Sequence, residues 1–184
     1  MSDLQIVTKI RKITSPGQAL SSPFAALLPG RHHLPRRCLS PGQALFKQNP
    51  YLWCMMIEEM IKPPLLQEGD RVAVIAPAGL VDRDKTERAI AIIESWGLRV
   101  SRGEHLYERH GIFAGRDGQR LADLQGALDD SSIRAVICAR GGYGMSRIIA
   151  DVDFNALREE PKWVLGYSDI TVLHLFINYK TGIS

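Results

Sequence analysis

Strand-like and helix-like segments alternate along the sequence from about residue 60 onward, and this alternation most constrains how the chain can fold. The segment DRVAVIAPAG is a short run of Val and Ile that ends in a Pro/Gly turn, which is typical of a buried strand. LRVSRG is predicted as a second, shorter strand, IRAVICAR as a third and KWVLGY as a fourth. The sequence therefore predicts a series of short strands separated by longer connections.

Apolar residues at helical spacing fill the intervals between these runs. We predict a helix over residues 84–96 that stops at Gly97, a second helix around Leu121–Leu128, a short one in GMSRIIADV, and a last one over residues 170–179. The apolar face of the first is Ala89, Ile92, Ile93 and Trp96, and that of the second is Leu121, Leu124 and Leu128. This order implies an open, mostly parallel α/β sheet, Rossmann-like, with helices on both faces.

Residues 1–59 do not share this pattern. The hexapeptide SPGQAL occurs there twice, and Pro and Gly recur too often for a long helix or strand. Seven Lys/Arg and only three Asp/Glu fall in this segment, so it accounts for the chain's positive charge, which we do not interpret as nucleic-acid binding. We expect an unstructured or spurious extension, with a basic transit peptide as the less favoured alternative, followed by one domain over residues 60–184.

The cysteines and the apolar runs bear on the compartment. Cys38, Cys54 and Cys138 have no metal or redox spacing, and Cys138 lies inside an apolar run, where a small core residue is expected. A reduced, cytoplasmic setting fits this usage. No apolar stretch approaches the roughly 18 residues that a membrane span needs, so we expect no membrane partner.

Three of the predicted strands end in small residues that would let a ligand approach the backbone. These ends are APAGL, ARGGYG and GYSD, and in such sheets the site lies beyond the carboxyl ends of the strands. Gly141 and Gly142 could present their amides to a negative oxygen, although a plain glycine turn is the alternative. Neither G-x-G-x-x-G nor a P-loop lysine is present, which argues against a nucleotide-binding module.

Ser168 admits two interpretations. Gly166-Tyr167-Ser168 matches the first half of the nucleophile elbow G-x-S-x-G, in a strand–turn–helix setting, but Ile170 replaces the second glycine. Ser168 or Asp169 would equally make a good N-cap for the helix that follows. From residue types alone both interpretations stay open.

A nucleophilic serine needs a base, and the sequence offers no convincing one. His174 lies six residues beyond Ser168, which is about 9 Å along a helix. His105 and His110 fall in the polar loop after the second strand, with no obvious orienting carboxylate, and the other two histidines fall in residues 1–59. No Ser–His–acid set is therefore predicted within this chain.

Four motifs together resemble a known family. GDRVAVIAPAG, FAGRDGQRLADL, ARGGYGMSRII and PKWVLGYSDITVLHL occur in the same order in the LD-carboxypeptidases, the muramoyltetrapeptide carboxypeptidase family of serine peptidases. The resemblance covers about Met60 to Ile183. It implies that Ser168 is the nucleophile and that the backbone at Gly141, Gly142 and Asp169 binds the oxyanion.

The resemblance also implies a reaction and its setting. Family members release the terminal D-alanine of the murein tetrapeptide during cell-wall recycling in the cytoplasm, without metal or organic cofactor, and are usually homodimers. Their triad glutamate and histidine come from a C-terminal domain. We expect that domain to be absent from this chain, and the chain alone to be inactive or nearly so. The alternative is a non-catalytic α/β fragment that binds peptide.

Overall fold

The computed structural model describes residues 61–183, which form a four-stranded sheet with helices packed on it. The extension expected over residues 1–59 lies outside the described residues. The strands are β1 (Arg71–Ile75), β2 (Arg99–Arg102), β3 (Ile133–Cys138) and β4 (Trp163–Leu165). All four coincide with the predicted strands, and β2, with the sequence RVSR, is the one that is mostly exposed.

The helices follow the strands in turn. They are α1 (Arg83–Glu94), α2 (Asp117–Asp129), α3 (Met145–Ile148), α4 (Asn155–Glu159) and α5 (Thr171–Thr181), with 3-10 turns at Ile149–Asp151 and Ser168–Ile170. The five-residue helix α4 was not predicted, because it is too short to establish an apolar period. Within residues 61–183, no helix is both long and apolar enough to cross a membrane.

The strand order is β2-β1-β3-β4, and every neighbouring pair is parallel. The chain moves outward in one direction from β1 to β2 and in the other from β3 to β4. The order therefore reverses between β1 and β3, and the carboxyl ends at such a reversal form a crevice in open α/β sheets. This topology confirms the predicted fold class.

The core has two layers, one on each face of the sheet. Ala73 and Ile75 of β1 face a cluster that includes α2, α3, α4 and α5, whereas Val72 and Val74 face a cluster that includes α1. The alternation follows from the two-residue period of a strand. Both faces are covered, as the continuous apolar runs predicted.

The prediction for Ile92 in the core is wrong, whereas the prediction for Cys138 is confirmed. Ile92 was placed on the buried face of α1, but it is 42% exposed, and Ile90 and Ile93 are buried instead. Asp82 caps the start of the helix by accepting from the amide of Lys85. Ile90 and Ile93 pack in the same cluster as Val72 and Val74 of β1. Cys138 is fully buried, as predicted, and burial raises the pKa of its thiol to about 12, which disfavours the thiolate.

Candidate active site

The loops that follow β1, β3 and β4 meet at the carboxyl edge of the sheet. The amide of Gly79 donates to the carbonyl oxygen of Gly141 over 2.9 Å, which joins the first two loops. A Cβ built on Gly141 would lie 2.6 Å from the carbonyl oxygen of Tyr167 and 3.0 Å from the Cβ of Ser168. Glycine at position 141 is therefore what lets the β3 loop lie directly against the β4 loop.

Ser168 occupies a sharp turn between β4 and the helix that follows. Its φ is +59°, and it is the one non-glycine residue in the described part of the chain with a positive φ. The left-handed region costs an L-residue about 1–2 kcal/mol, so the surrounding packing must hold it there. The residue is exposed, and a strained strand-to-helix turn that exposes a serine is the geometry of a nucleophile elbow.

The capping interpretation of Ser168 and Asp169 is wrong. The N-cap positions are Tyr167 for the 3-10 turn and Ile170 for α5, and neither makes a side-chain capping bond. The Asp169 carboxylate instead accepts from the amide of Met145 over 2.8 Å. This contact fastens the elbow to the start of α3, just beyond the glycine turn.

The isoleucine that replaces the second elbow glycine packs over the first one. Ile170 is completely buried, and a Cβ on Gly166 would lie 2.4 Å from its Cγ2. A branched residue at position 170 is therefore accommodated because position 166 has no side chain. The departure from G-x-S-x-G leaves the turn intact.

Two backbone amides lie in the loops that meet at Ser168. Asp169 is the second residue of the 3-10 turn, where amides have no acceptor within the helix. The exposed Gly142 donates to no backbone carbonyl or side chain within residues 61–183. Asp169 N would lie 3.2 Å from a Cβ on Gly141, so the two loops that carry these amides are in contact. Free amides of this kind can stabilise an oxyanion.

The sequence-based view of His105 needs correction. Its Nδ1 lies 2.8 Å from Oδ1 of Asp123, and its amide donates to Oδ2 of the same carboxylate over 3.0 Å. His105 thus has an orienting carboxylate, contributed by α2, which sequence proximity could not reveal. It follows β2, however, and β2 and β4 are separated by two strands, or about 14 Å at ordinary strand spacing. It therefore does not serve Ser168.

The His105–Asp123 contact makes a pH-dependent contribution to stability. The hydrogen bond with Asp123 raises the pKa of His105 above its ordinary value of 6.5. The contribution is therefore fully present below that value and is lost as pH rises through the folded-state pKa. We expect His105→Gln to lower the free energy of unfolding relative to the native chain, and to lower it by a larger amount at about pH 5 than at about pH 9. Urea titrations at both pH values, with the exposed His110→Gln as control, measure this; an equal deficit would contradict it.

A buried arginine at this edge was not recognised from the sequence. Arg120 has no exposed surface, and it donates to the carbonyl oxygens of Pro77 and Gly144 and to Asp117. Asp117 also accepts from Arg147. The hydrogen bond from Arg147 lowers the pKa of Asp117 the most, and the one from Arg120 lowers it further. Arg120 lies four residues before Leu124 on the apolar face of α2, an unusual place for a charge and the one signal that could have drawn attention to it.

The fold and this geometry define a class: an α/β protein with an elbow serine at the carboxyl edge of a parallel sheet. Comparison with known proteins identifies the family within this class. The family model for the LD-carboxypeptidase N-terminal domain matches residues 72–184, and the chain belongs to this family.

The chain spans less than half the length of the curated relatives that it matches. A Bacillus subtilis protein named "Probable murein peptide carboxypeptidase" is 47% identical over 122 residues, which are 66% of this chain and 38% of that protein. The murein tetrapeptide carboxypeptidase of Pseudomonas aeruginosa is 39% identical over 104 residues, 56% and 34% of the two chains. The crystal structure of muramoyltetrapeptide carboxypeptidase from Oxalobacter formigenes superposes with a TM-score of 0.55 at 34% identity, covering 61% of this chain and 38% of that one.

Proposed function

We propose that this chain carries the nucleophile and the oxyanion-binding amides of a serine LD-carboxypeptidase that releases terminal D-alanine from murein tetrapeptide. The observation that carries the proposal is Ser168, held at a φ of +59° in the turn after β4, with the glycine turn packed against it at Gly141. The names of the relatives support the substrate class. The proposal includes the cytoplasmic, cell-wall-recycling role and the homodimer that the family resemblance implies.

The chemistry assigns a role to each group. The Ser168 hydroxyl attacks the carbonyl carbon of the scissile amide and gives its proton to a histidine base. The negative charge that forms on the carbonyl oxygen is stabilised by the two amides. Collapse of the tetrahedral intermediate transfers the proton to the leaving amine, releasing D-alanine, and water then hydrolyses the acyl-serine.

The base and the group that orients it would come from the C-terminal domain of the family. His105 lies at the far edge of the sheet, and His174 is about 9 Å along the helical axis from Ser168. We therefore expect residues 61–183 alone to provide only the residual catalysis that oxyanion binding supplies, on the order of a few thousandfold over water.

The test restores the remaining parts of the enzyme. Residues 61–183 replace the matched region of the B. subtilis relative, to which the chain is 47% identical, and D-alanine release from murein tetrapeptide is measured. We expect the chimera to turn over and Ser168→Ala to lower kcat by about a millionfold, as loss of a serine nucleophile does elsewhere.

Ser101→Ala provides the matched control, since Ser101 is an exposed serine on β2 at the opposite edge of the sheet. This variant is expected to retain full activity. D-alanine release that persisted in Ser168→Ala would reject the nucleophile assignment. A folded chimera that bound tetrapeptide but released nothing would favour the non-catalytic peptide-binding alternative.

A further inference from the structure

The guanidinium of Arg120 lies beneath the candidate site and is completely buried. Its Nη1 donates to the carbonyl oxygen of Pro77 over 2.6 Å and to that of Gly144 over 3.0 Å, and its Nη2 donates to Asp117. One side chain on α2 thus binds the loop after β1 and the loop after β3. A buried charge is costly unless it is hydrogen-bonded, so these contacts are needed to keep it there.

The two carbonyl groups that Arg120 binds flank the glycine turn that faces Ser168. Pro77 lies two residues before Gly79, whose amide bonds to the carbonyl of Gly141 at the start of the turn. Gly144 ends the turn, and the next amide, of Met145, bonds to the elbow residue Asp169 over 2.8 Å. Displacement of the guanidinium would therefore change where the turn lies relative to the elbow.

Aromatic packing limits the freedom of the same guanidinium. It lies over the Phe113 ring at 5.0 Å, and the ring of Phe113 is tilted against that of Tyr143, 6.0 Å away in the glycine turn. Cation–π contact of this kind is strengthened by burial. The turn is thus tied to Arg120 through the Gly144 carbonyl and, by way of Phe113, through Tyr143.

We propose that Arg120 is a positioning residue for the oxyanion-binding amides. It acts through the Gly141–Gly144 turn and does not touch the substrate. The inference rests on the proposed function, since it assigns a purpose to amides that the proposal places at the oxyanion.

Lys162 offers an internal comparison for this role. It is the other buried cation within residues 61–183, it lies directly before β4, and it is 3% exposed. Its Nζ donates to the carbonyl oxygens of Leu128 and Asp130 over 2.7 and 2.6 Å. These carbonyls lie at the carboxyl end of α2, whereas Arg120 lies in its first half, next to the site. Both cations satisfy backbone carbonyls, but only Arg120 contacts the loops of the site.

The experiment compares Arg120→Lys with Lys162→Met in the full chain, after urea unfolding has measured the stability that each variant loses. The ammonium of lysine keeps the charge but lacks the forked geometry that binds Pro77, Gly144 and Asp117 together. We expect the NMR amide resonances of Gly142 and Asp169 to shift in Arg120→Lys and not in Lys162→Met. In the chimera described above, we also expect murein tetrapeptide to bind roughly tenfold more weakly with Arg120→Lys and not with Lys162→Met.

A second variant keeps the inference testable if Arg120→Lys does not fold. Asp117→Asn removes the charge from one of the three partners, and it should shift the same two amides by a smaller amount. Amides that stay in place in these variants, or that move equally in Lys162→Met, would overturn the positioning role. A chimera with native residues 61–183 that binds no tetrapeptide would contradict the proposed function, while the amide resonances would still decide the role of Arg120.

Discussion

Replacing Gly141 by alanine is expected to push the glycine turn away from the elbow and to destabilise the fold by about 3 kcal/mol. The new Cβ would lie 2.6 Å from the carbonyl oxygen of Tyr167 and 3.2 Å from the amide nitrogen of Asp169. Both are backbone atoms, so no flexible side chain can move aside to relieve the contact. The carbonyl of Tyr167 also accepts from Ile170 N at the start of the 3-10 turn, so the helix start would move with it.

Gly126→Ala is the matched control for this substitution. Gly126 is an exposed position inside α2, and a Cβ built there meets nothing within 4 Å. Alanine in a helix interior should stabilise the chain by about 0.5–1 kcal/mol. Urea unfolding of both variants gives the two changes in free energy with opposite signs. If Gly141→Ala were as stable as the native chain, the direct packing of the β3 loop on the elbow would be wrong.

The fold was largely predictable because its signals are local. The buried strands are continuous runs of apolar residues, and Leu124 and Leu128 mark α2 at helical spacing, so each element is specified by its own residues. Ile92 was misplaced because a three-to-four-residue period fits either Ile92 or Ile90 as the inner position. Strand order could not be predicted, since β-pairing depends on contacts between segments far apart in sequence.

The candidate site was predictable only as a set of loops. The motifs indicated that the segments at Gly141 and Ser168 matter. They did not indicate that Ser168 has a positive φ, because serine rarely adopts one and because serine is also a common helix N-cap. Arg120 bonds to Pro77, 43 residues away, and the carboxylate partner of His105 lies 18 residues away. Such pairs are fixed by the topology and leave no periodic signal.

The elbow has isoleucine at position 170 where the usual pattern has glycine, and this makes residues 166 and 170 depend on each other. A free second glycine normally leaves room around the nucleophile. Here Ile170 fills that space, and its side chain anchors the start of α5 in the core at 0% exposure. The steric restriction therefore falls on Gly166, where any side chain would press against Ile170.

Gly166→Ala is accordingly expected to destabilise the chain by about 2 kcal/mol, because the new methyl group would lie 2.4 Å from Cγ2 and 2.8 Å from Cβ of Ile170. Ile170→Ala alone should cost about 2–5 kcal/mol through the cavity it leaves. In the double variant the Cγ2 contact is gone. The sum of the stability losses of the two single variants should therefore exceed the loss of the double variant by about 1 kcal/mol. Urea unfolding of the four chains measures this coupling. Strict additivity would mean that Gly166 is not what accommodates Ile170, and that the elbow keeps its shape for another reason.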